Sequence, residues 1–372
     1  HPFGFLGLPF DGLPVHQHWL KHRADPDSRS LDDYSLAWQA ARQGRFSFPT
    51  LNPQQLTSTY NYAFHFDASL YARHLRSLSV KRGVQRIEGK ITRVLRDGQS
   101  GFVTGVQMES GDLIEADFFI DCSGFRSLLL GDALGVNYES WSQWLPCDRA
   151  VAMPCAIDGP PAPYTRSTAL SAGWQWTIPL RHRIGNGYVF STSFISEDEA
   201  TEVLQSRLPG AAQGTPRLLK FTPGRRAKAW EKNVLALGLA SGFLEPLEST
   251  SLHLVHSGIT TLLSLFPDKH CDATIQQEYN RRFSIEMERI RDFIILHYKL
   301  NQRDDHDMWR HCAHMQVPDS LQERMTLFKQ GGHLQVDNHD LFGAESWLAV
   351  HLGQFNFPDK HSPLLDMRRT DG

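Results

Sequence analysis

The stretch Gly238-Leu-Ala-Ser-Gly-Phe-Leu-Glu-Pro-Leu-Glu-Ser-Thr-Ser251 is the most informative part of this chain. It follows an apolar, strand-like run and precedes a helix-like run over 252–265. A loop between a strand and a helix start directs backbone N–H groups and the helix dipole toward an anion. Ser249 and Thr250 stand where a helix N-cap is expected, and Glu248 beside them is a potential acid or base. We therefore expect an anion site, two hydroxyls and a carboxylate close together.

The composition excludes several classes of protein. Among 372 residues, 38 basic and 41 acidic side chains leave a net charge of −3, which argues against a nucleic-acid partner. No apolar run approaches the roughly 18 residues that a membrane-spanning helix needs. The 5 cysteines include no CxxC pair, which favours a reducing, cytoplasmic location over a disulfide framework.

The pattern of apolar residues, prolines and glycines predicts three parts and an α/β (α+β) fold. They are loops and short helices over 1–60, a module over 61–265 with an inserted sheet at about 140–215, and a helical module over 266–372. In the middle part, Asp67 is expected to cap a helix over 66–82, and strands are expected at 87–95, 101–108 and 113–120.

The inserted sheet has a clear strand period. Trp174 and Trp176 alternate with polar neighbours, which predicts a strand over 174–179. A second strand over 188–193 is expected to pair with it across a turn at 185–187.

Several of these segments resemble the flavin-dependent tryptophan halogenase family. The segment 243–251 resembles the one that marks this family, and Trp174-Gln-Trp-Thr-Ile-Pro179 resembles its WxWxIP signature. The further similar segments, in the same chain order, are Asp121-Cys-Ser-Gly-Phe-Arg126, Gly224-Arg-Arg226 and the region from His297 to Trp309. The resemblance covers nearly the whole chain and implies an FAD-dependent, monooxygenase-like flavoprotein fold. It implies that the loops over 1–60 face the substrate, that 61–265 is an incomplete FAD-binding module and that 266–372 is a helical substrate-binding module.

The resemblance implies roles for individual residues. The catalytic candidates are Glu248 and Ser249, and the halide candidates are Thr250 and the N–H of Ser251. The cofactor-binding candidates are Asp121, Gly124, Gly238, Gly242, Phe243 and Pro246. The substrate-binding candidates are His1, Phe3, Trp174 and Trp176.

Each of these roles has a purely structural alternative. Thr250 could simply cap a helix beside a solvated Glu248, Trp174 and Trp176 could be core residues, and Asp121 could cap a strand end.

The family resemblance also implies cofactors and partners. Reduced FAD would come from a separate flavin reductase, the halide would be chloride or bromide, and the substrate would be a small indole-type aromatic molecule. A homodimer is possible on this reading. The two alternatives are a flavin-dependent aromatic hydroxylase and a non-catalytic relative that binds an aromatic ligand.

Two elements expected of such an enzyme do not occur in the sequence. No GxGxxG follows a strand, and no lysine can be matched to the family's catalytic lysine, which precedes the His-Pro-Phe segment at His1. We therefore expect that the N-terminal nucleotide-binding part is missing and that residues 1–372 alone are inactive.

Two groups of polar residues in the sequence are not expected to form functional sites. His297, His306, His311 and His314 match no standard zinc spacing, so no metal site is predicted. The basic residues at 225, 226, 228 and 232 are expected to form a solvated strand edge.

Overall fold

The computed structural model describes residues 6, 9–337 and 340–367. The α-helices in these ranges are α1 (Val15–His22), α2 (Leu36–Arg42), α3 (Ala68–Lys81), α4 (Glu197–Ser206), α5 (Ser251–Ser264), α6 (Ala273–Lys299), α7 (Asp307–His314), α8 (Asp319–Gly331) and α9 (Ala344–Gly353).

The strands of the described ranges form four sheets. They are β1 (Ile91–Arg96), β2 (Val103–Met108), β3 (Leu113–Glu115), β4 (Phe119–Asp121), β5 (Tyr138–Ser140), β6 (Arg149–Ala152), β7 (Arg166–Leu170), β8 (Gly173–Pro179), β9 (Ile184–Phe190), β10 (Arg217–Lys220), β11 (Gly224–Arg226), β12 (Trp230–Glu231), β13 (Val234–Ala236) and β14 (Gly242–Phe243).

The inserted sheet is five-stranded and antiparallel, with the order β10-β6-β9-β8-β7. The strand predicted over 174–179 is confirmed as β8, but the predicted turn is wrong. Residues 185–187 lie inside β9, and the chain reverses between Leu180 and Arg183, where the Leu180 N–H donates to the Arg183 carbonyl. Gly187 has a packing role instead, because a Cβ there would lie 2.0 Å from the Trp176 ring.

A second correction concerns the strand predicted over 113–120. It divides into β3, which pairs antiparallel with β2, and β4, which pairs parallel with β13. The parallel pair matters for function, because β4 and β13 both end at the same edge, where ligands of α/β sheets commonly bind.

Helix α3 begins as the sequence predicts. The Asp67 carboxylate accepts hydrogen bonds from the N–H groups of Ser69 and Leu70. The same carboxylate accepts a hydrogen bond at 2.8 Å from Arg183, which lies in the β8–β9 turn. This contact ties the start of α3 to the inserted sheet.

The main core lies between the inserted sheet and α6. Tyr188 and Phe190 of β9, Phe293 and Ile294 of α6, and Leu321 of α8 are all fully buried in it. Burial of this apolar area is the dominant stabilising contribution. No described helix combines the length and the apolar character that crossing a membrane requires.

The prediction of a solvated basic edge is wrong for Arg225. This residue is only 8% exposed, and its guanidinium lies 2.9 Å from Glu288 of α6 and 3.0 Å from Glu139 of β5. Because both carboxylates lie on neighbouring elements, Arg225 joins the β11 sheet to the helical module. A buried cation needs such partners.

Candidate active site

A cavity of about 430 Å³ opens between the inserted sheet, the loop over 243–251 and α6. Three aromatic side chains line it, Trp174 of β8, Tyr298 of α6 and Trp309 of α7. Tyr298 and Trp309 are stacked with 5.7 Å between ring centroids. The volume and the aromatic walls suit a small planar ligand.

Glu248 lies on the wall of this cavity, so the structure places the predicted carboxylate next to an aromatic site. It ends a short 3-10 turn over Pro246–Glu248, in which Pro246 occupies the first position. Proline suits that position because it has no N–H to satisfy and a preset φ. Glu248 Oε1 lies 2.9 Å from Nε2 of His297, which also lines the cavity.

The residues after Glu248 are arranged differently from the predicted cap. Ser249 adopts a left-handed conformation with φ of 56°, and α5 begins at Ser251. Thr250 occupies the N-cap position, but its side chain makes no capping hydrogen bond. Its hydroxyl oxygen is buried and has no hydrogen-bond partner among the described residues. An orphaned hydroxyl of this kind is costly unless something binds it.

Glu245 is a buried acid that the sequence analysis missed. It is 0% exposed, and burial raises the pKa of its carboxyl to about 7, although Tyr298, Trp174 and Cys147 favour the ionised form. A glutamate within the apolar run Phe243-Leu-Glu-Pro-Leu247 was the available signal, because acids there are seldom solvated.

The cofactor candidates at the strand ends lie on two turns. Gly124 follows β4 with φ of 76°, and Gly238 follows β13 with φ of 61°. A Cβ at Gly124 would meet no atom within 4 Å, and one at Gly238 would meet only Val255 at 3.5 Å. The two turns therefore combine positive φ angles, which glycine tolerates best, with open space at the carboxyl ends of a parallel pair.

The next two cofactor candidates follow on β14. Phe243 packs edge-on against Phe125 at 5.3 Å, which brings β14 beside the Gly124 turn. Gly242 is required by packing, because a Cβ there would lie 2.8 Å from the Gly224 carbonyl.

The Asp121 carboxylate accepts hydrogen bonds from nearby backbone N–H groups. Its two carboxylate oxygens accept hydrogen bonds from the N–H groups of Ser123, Leu129 and Leu130. This arrangement supports the capping alternative, and a contact between Asp121 and a flavin stays a prediction.

The predicted substrate-binding residues differ in where they lie relative to the cavity. Trp174 lines the cavity, whereas Trp176 packs on Gly187 at the edge of the main core. His1 and Phe3 lie outside the described residues. Across the described part of the chain, no three His, Cys, Asp or Glu side chains come together in a way that could hold a metal ion.

Comparisons with known proteins identify the family of this chain. The family model described as tryptophan halogenase matches residues 1–370. Tryptophan 6-halogenase ThaL of Streptomyces albogriseolus is 35% identical over 89% of this chain and 62% of its own length. Tryptophan 7-halogenase KtzQ of Kutzneria sp. (strain 744) is 32% identical over 99% of this chain and 72% of its own length.

Solved structures show the same fold. BrvH, a flavin-dependent halogenase from Brevundimonas sp. BAL3, matches with a TM-score of 0.95 and 46% identity over 99% of this chain and 75% of its own. Xcc4156, a flavin-dependent halogenase from Xanthomonas campestris, matches with a TM-score of 0.93 and 46% identity. The match covers 99% of this chain and 73% of the Xcc4156 chain. The chain thus has the mixed α/β fold of these enzymes, and it belongs to the tryptophan halogenase family.

Proposed function

We propose that this protein is an FAD-dependent halogenase that acts on an indole-type aromatic substrate. The observation that carries the proposal is the position of Glu248 on the wall of an aromatic cavity, two residues before a buried hydroxyl that has no hydrogen-bond partner among the described residues. The relatives ThaL and KtzQ are both tryptophan halogenases, which supports the substrate class.

The halide site is proposed at the start of α5. The Thr250 hydroxyl and the Ser251 N–H would donate to chloride or bromide, and the helix N-terminus favours an anion. The orphaned Thr250 hydroxyl fits this role, because a bound halide would supply its missing acceptor.

The flavin site is proposed at the carboxyl ends of β4 and β13. Gly124, Gly238, Gly242 and Phe243 would line it, and Pro246 would shape the loop between the flavin and the substrate cavity. The open space at the first two glycines leaves room for a ligand to approach the backbone. Reduced FAD, when bound, would supply with oxygen the oxidising power that turns halide into an electrophilic halogen.

Glu248 would then act on the substrate ring. As the new carbon–halogen bond forms, the carbon–hydrogen bond at the same carbon breaks and its electron pair returns to the ring. The Glu248 carboxylate would accept that proton, which is a general-base role. Trp174 and Trp309 would hold the ring plane against the carboxylate, and the Ser249 hydroxyl at the cavity wall would contact the electrophile.

Several further features remain part of the proposal. A separate reductase would deliver reduced FAD, the location would be cytoplasmic, and a homodimer is compatible with it. We also retain the prediction that residues 1–372 alone bind FAD weakly and do not halogenate, because no dinucleotide fingerprint occurs in them.

The test is a coupled assay of the protein expressed from its complete gene, with a flavin reductase, NADH, FAD, bromide and indole. A product heavier by bromine minus hydrogen supports the proposal. A gain of one oxygen would replace it with the hydroxylase alternative, and tight indole binding without any turnover would replace it with the non-catalytic one. A parallel titration of residues 1–372 with FAD tests the prediction of weak binding.

A further inference from the structure

A second cavity, of about 370 Å³, lies between β5, β10, β11 and the turn after β4, and we call it the Arg226 pocket. It shares no lining residue with the aromatic cavity beside Glu248. Three rings and three cations line it with Thr222, and none of these described lining residues is acidic: Phe125, Tyr138, Phe221, Arg149, Lys220 and Arg226. Such a lining suits a planar anion, because the rings offer flat contact surfaces and the guanidinium groups bind anions.

Two of the three cations in this pocket are balanced by acids at its edge. Arg149 lies 2.9 Å from Glu197 and 3.0 Å from Asp148, and Lys220 lies 3.5 Å from the same Glu197. Arg226 differs, because no acid in the described ranges forms an ion pair with it. Three cations and two acids leave the pocket with one unbalanced positive charge.

The Arg226 guanidinium is held in place by neutral groups. Its Nη1 donates to the Val136 carbonyl at 2.8 Å, and its central carbon lies 5.4 Å from the centre of the Tyr138 ring. Its Nε is buried and has no hydrogen-bond partner among the described residues. A partly buried guanidinium in these surroundings favours the binding of an anion.

The Tyr138 phenol does not supply the missing negative charge. Its hydroxyl donates to the Thr222 carbonyl at 2.7 Å, so it carries its proton in this contact. Burial raises the pKa of Tyr138 to about 12, which keeps the phenol neutral at neutral pH. The charge of Arg226 is therefore left for a ligand to balance.

The Arg226 pocket adjoins the proposed flavin site. Phe125 follows Gly124 in the turn after β4, and its ring lies 5.3 Å from the ring of Phe243. Phe221 contacts the same Phe243 ring, with 4.8 Å between centroids. Strand β11, which ends at Arg226, pairs with β14, which carries Phe243. The pocket and the flavin candidates thus share their walls.

We propose that the Arg226 pocket receives the ring system of reduced flavin and that Arg226 balances the negative charge of that ring. Reduced flavin loses its N1 proton near neutral pH, and the ring then carries a negative charge that oxidised flavin lacks. A cation beside the ring stabilises the reduced form, which is one of the ways in which proteins tune a flavin. A protein that receives reduced FAD from a separate reductase benefits from this preference. The inference rests on the proposed function for the identity of the cofactor.

The test compares two redox states of FAD with the protein expressed from its complete gene. Anaerobic titrations give the Kd for oxidised FAD and for dithionite-reduced FAD. Arg226→Gln should weaken the binding of reduced FAD about 10-fold and that of oxidised FAD less than about threefold, as expected for the loss of one charge-assisted contact. The midpoint potential of bound FAD should then fall by about 30 mV, the two-electron equivalent of a tenfold change.

Two further variants serve as controls. Arg226→Lys keeps the positive charge and should restore most of the preference for reduced FAD. Arg217→Gln removes the same charge from β10, the strand that carries Lys220, but Arg217 is exposed and does not line the pocket. It should leave both dissociation constants unchanged. Retained binding of oxidised FAD shows that a variant is folded.

Equal weakening of both redox states in Arg226→Gln would overturn the proposal, because the charge of Arg226 would then not act on the reduced ring. Unchanged binding of both states would overturn it as well. If the redox-dependent loss is found and the unsubstituted protein does not brominate indole, the pocket assignment stands and the proposed halogenase function fails. If indole is brominated while Arg226→Gln binds both states normally, the function stands and the pocket assignment fails. A complete protein that binds neither form of FAD would contradict both.

Discussion

Helices α3 and α6 differ sharply in how they are stabilised. In α6, 10 side chains of 27 residues are buried, whereas none of the 14 residues of α3 is buried. Leu70 and Leu75 of α3 are 49% and 40% exposed. Helix α3 therefore depends on its cap and its tether, while α6 depends on packing. The cavity lies on the α6 side, where packing can hold side chains in fixed positions.

The largest expected effect is the loss of a ring from the α6 core. Phe293 is 0% exposed and stacks on Phe342 with 4.0 Å between centroids. Phe293→Ala should lower the free energy of unfolding by about 3–5 kcal/mol, because it removes buried area and leaves a cavity. Leu75→Ala on α3 should change it by less than about 0.5 kcal/mol. Urea unfolding of both variants checks this, and equal losses would remove the contrast between the helices.

A smaller change in the free energy of unfolding, and one of opposite sign, is expected when Glu245 is replaced by glutamine. The pKa of Glu245 rises from 4.5 to about 7 on folding, so the folded state holds the proton more tightly. Below about pH 4.5, Glu245 therefore does not lower the free energy of unfolding. As the pH rises from 4.5 to 7 it lowers this free energy by a growing amount, which stays constant above pH 7. Glu245→Gln removes the ionisation and should stabilise the protein by about 3 kcal/mol at pH 8, but hardly at pH 4.5.

The measurement is a series of urea unfolding curves from pH 4.5 to 8 for the unsubstituted protein and for Glu245→Gln. Parallel stability curves would show that Glu245 is not a buried acid of raised pKa. Glu202→Gln serves as the control, because Glu202 is an exposed acid on α4.

The smallest effect is expected at the cap of α3. Hydrogen bonds from Arg183 and from backbone N–H groups hold the pKa of Asp67 well below its ordinary value. This stabilising contribution is present above about pH 4 and is lost as pH falls further. Asp67→Ala should make the amides of α3 exchange severalfold faster at neutral pH, with little change elsewhere.

Asp272 provides the matched control, because its side chain caps α6 in the same way by accepting from Thr274 N–H. Asp272→Ala should leave exchange in the middle of α6 unchanged, since packing holds that helix. Hydrogen exchange read by mass spectrometry compares the two, and equal acceleration in both helices would contradict the account.

The sequence predicted local features well. The Asp67 cap, the alternation at Trp174 and Trp176, and the helix after Thr250 all depend on neighbours in the chain, and each element is present. The residue pattern before α5 singled out Glu248, and the structure places it on the cavity wall, whereas its catalytic role stays a prediction.

Features that depend on distant residues were harder to predict. The division of 113–120 between two sheets, the burial of Arg225 against α6 and the contact between Glu248 and His297 all join segments far apart in the chain. The turn at 185–187 failed for a related reason, since Gly187 is needed by the Trp176 ring and not by a reversal.

The central claim is that Glu248 accepts the proton of the substrate ring, and the Glu248→Gln variant tests it most directly. The substitution keeps size and hydrogen bonding but removes the basic oxygen. In the coupled bromide assay, kcat should fall by about 100-fold or more while indole binding changes less than threefold. A variant that brominates indole at an undiminished rate would contradict the account.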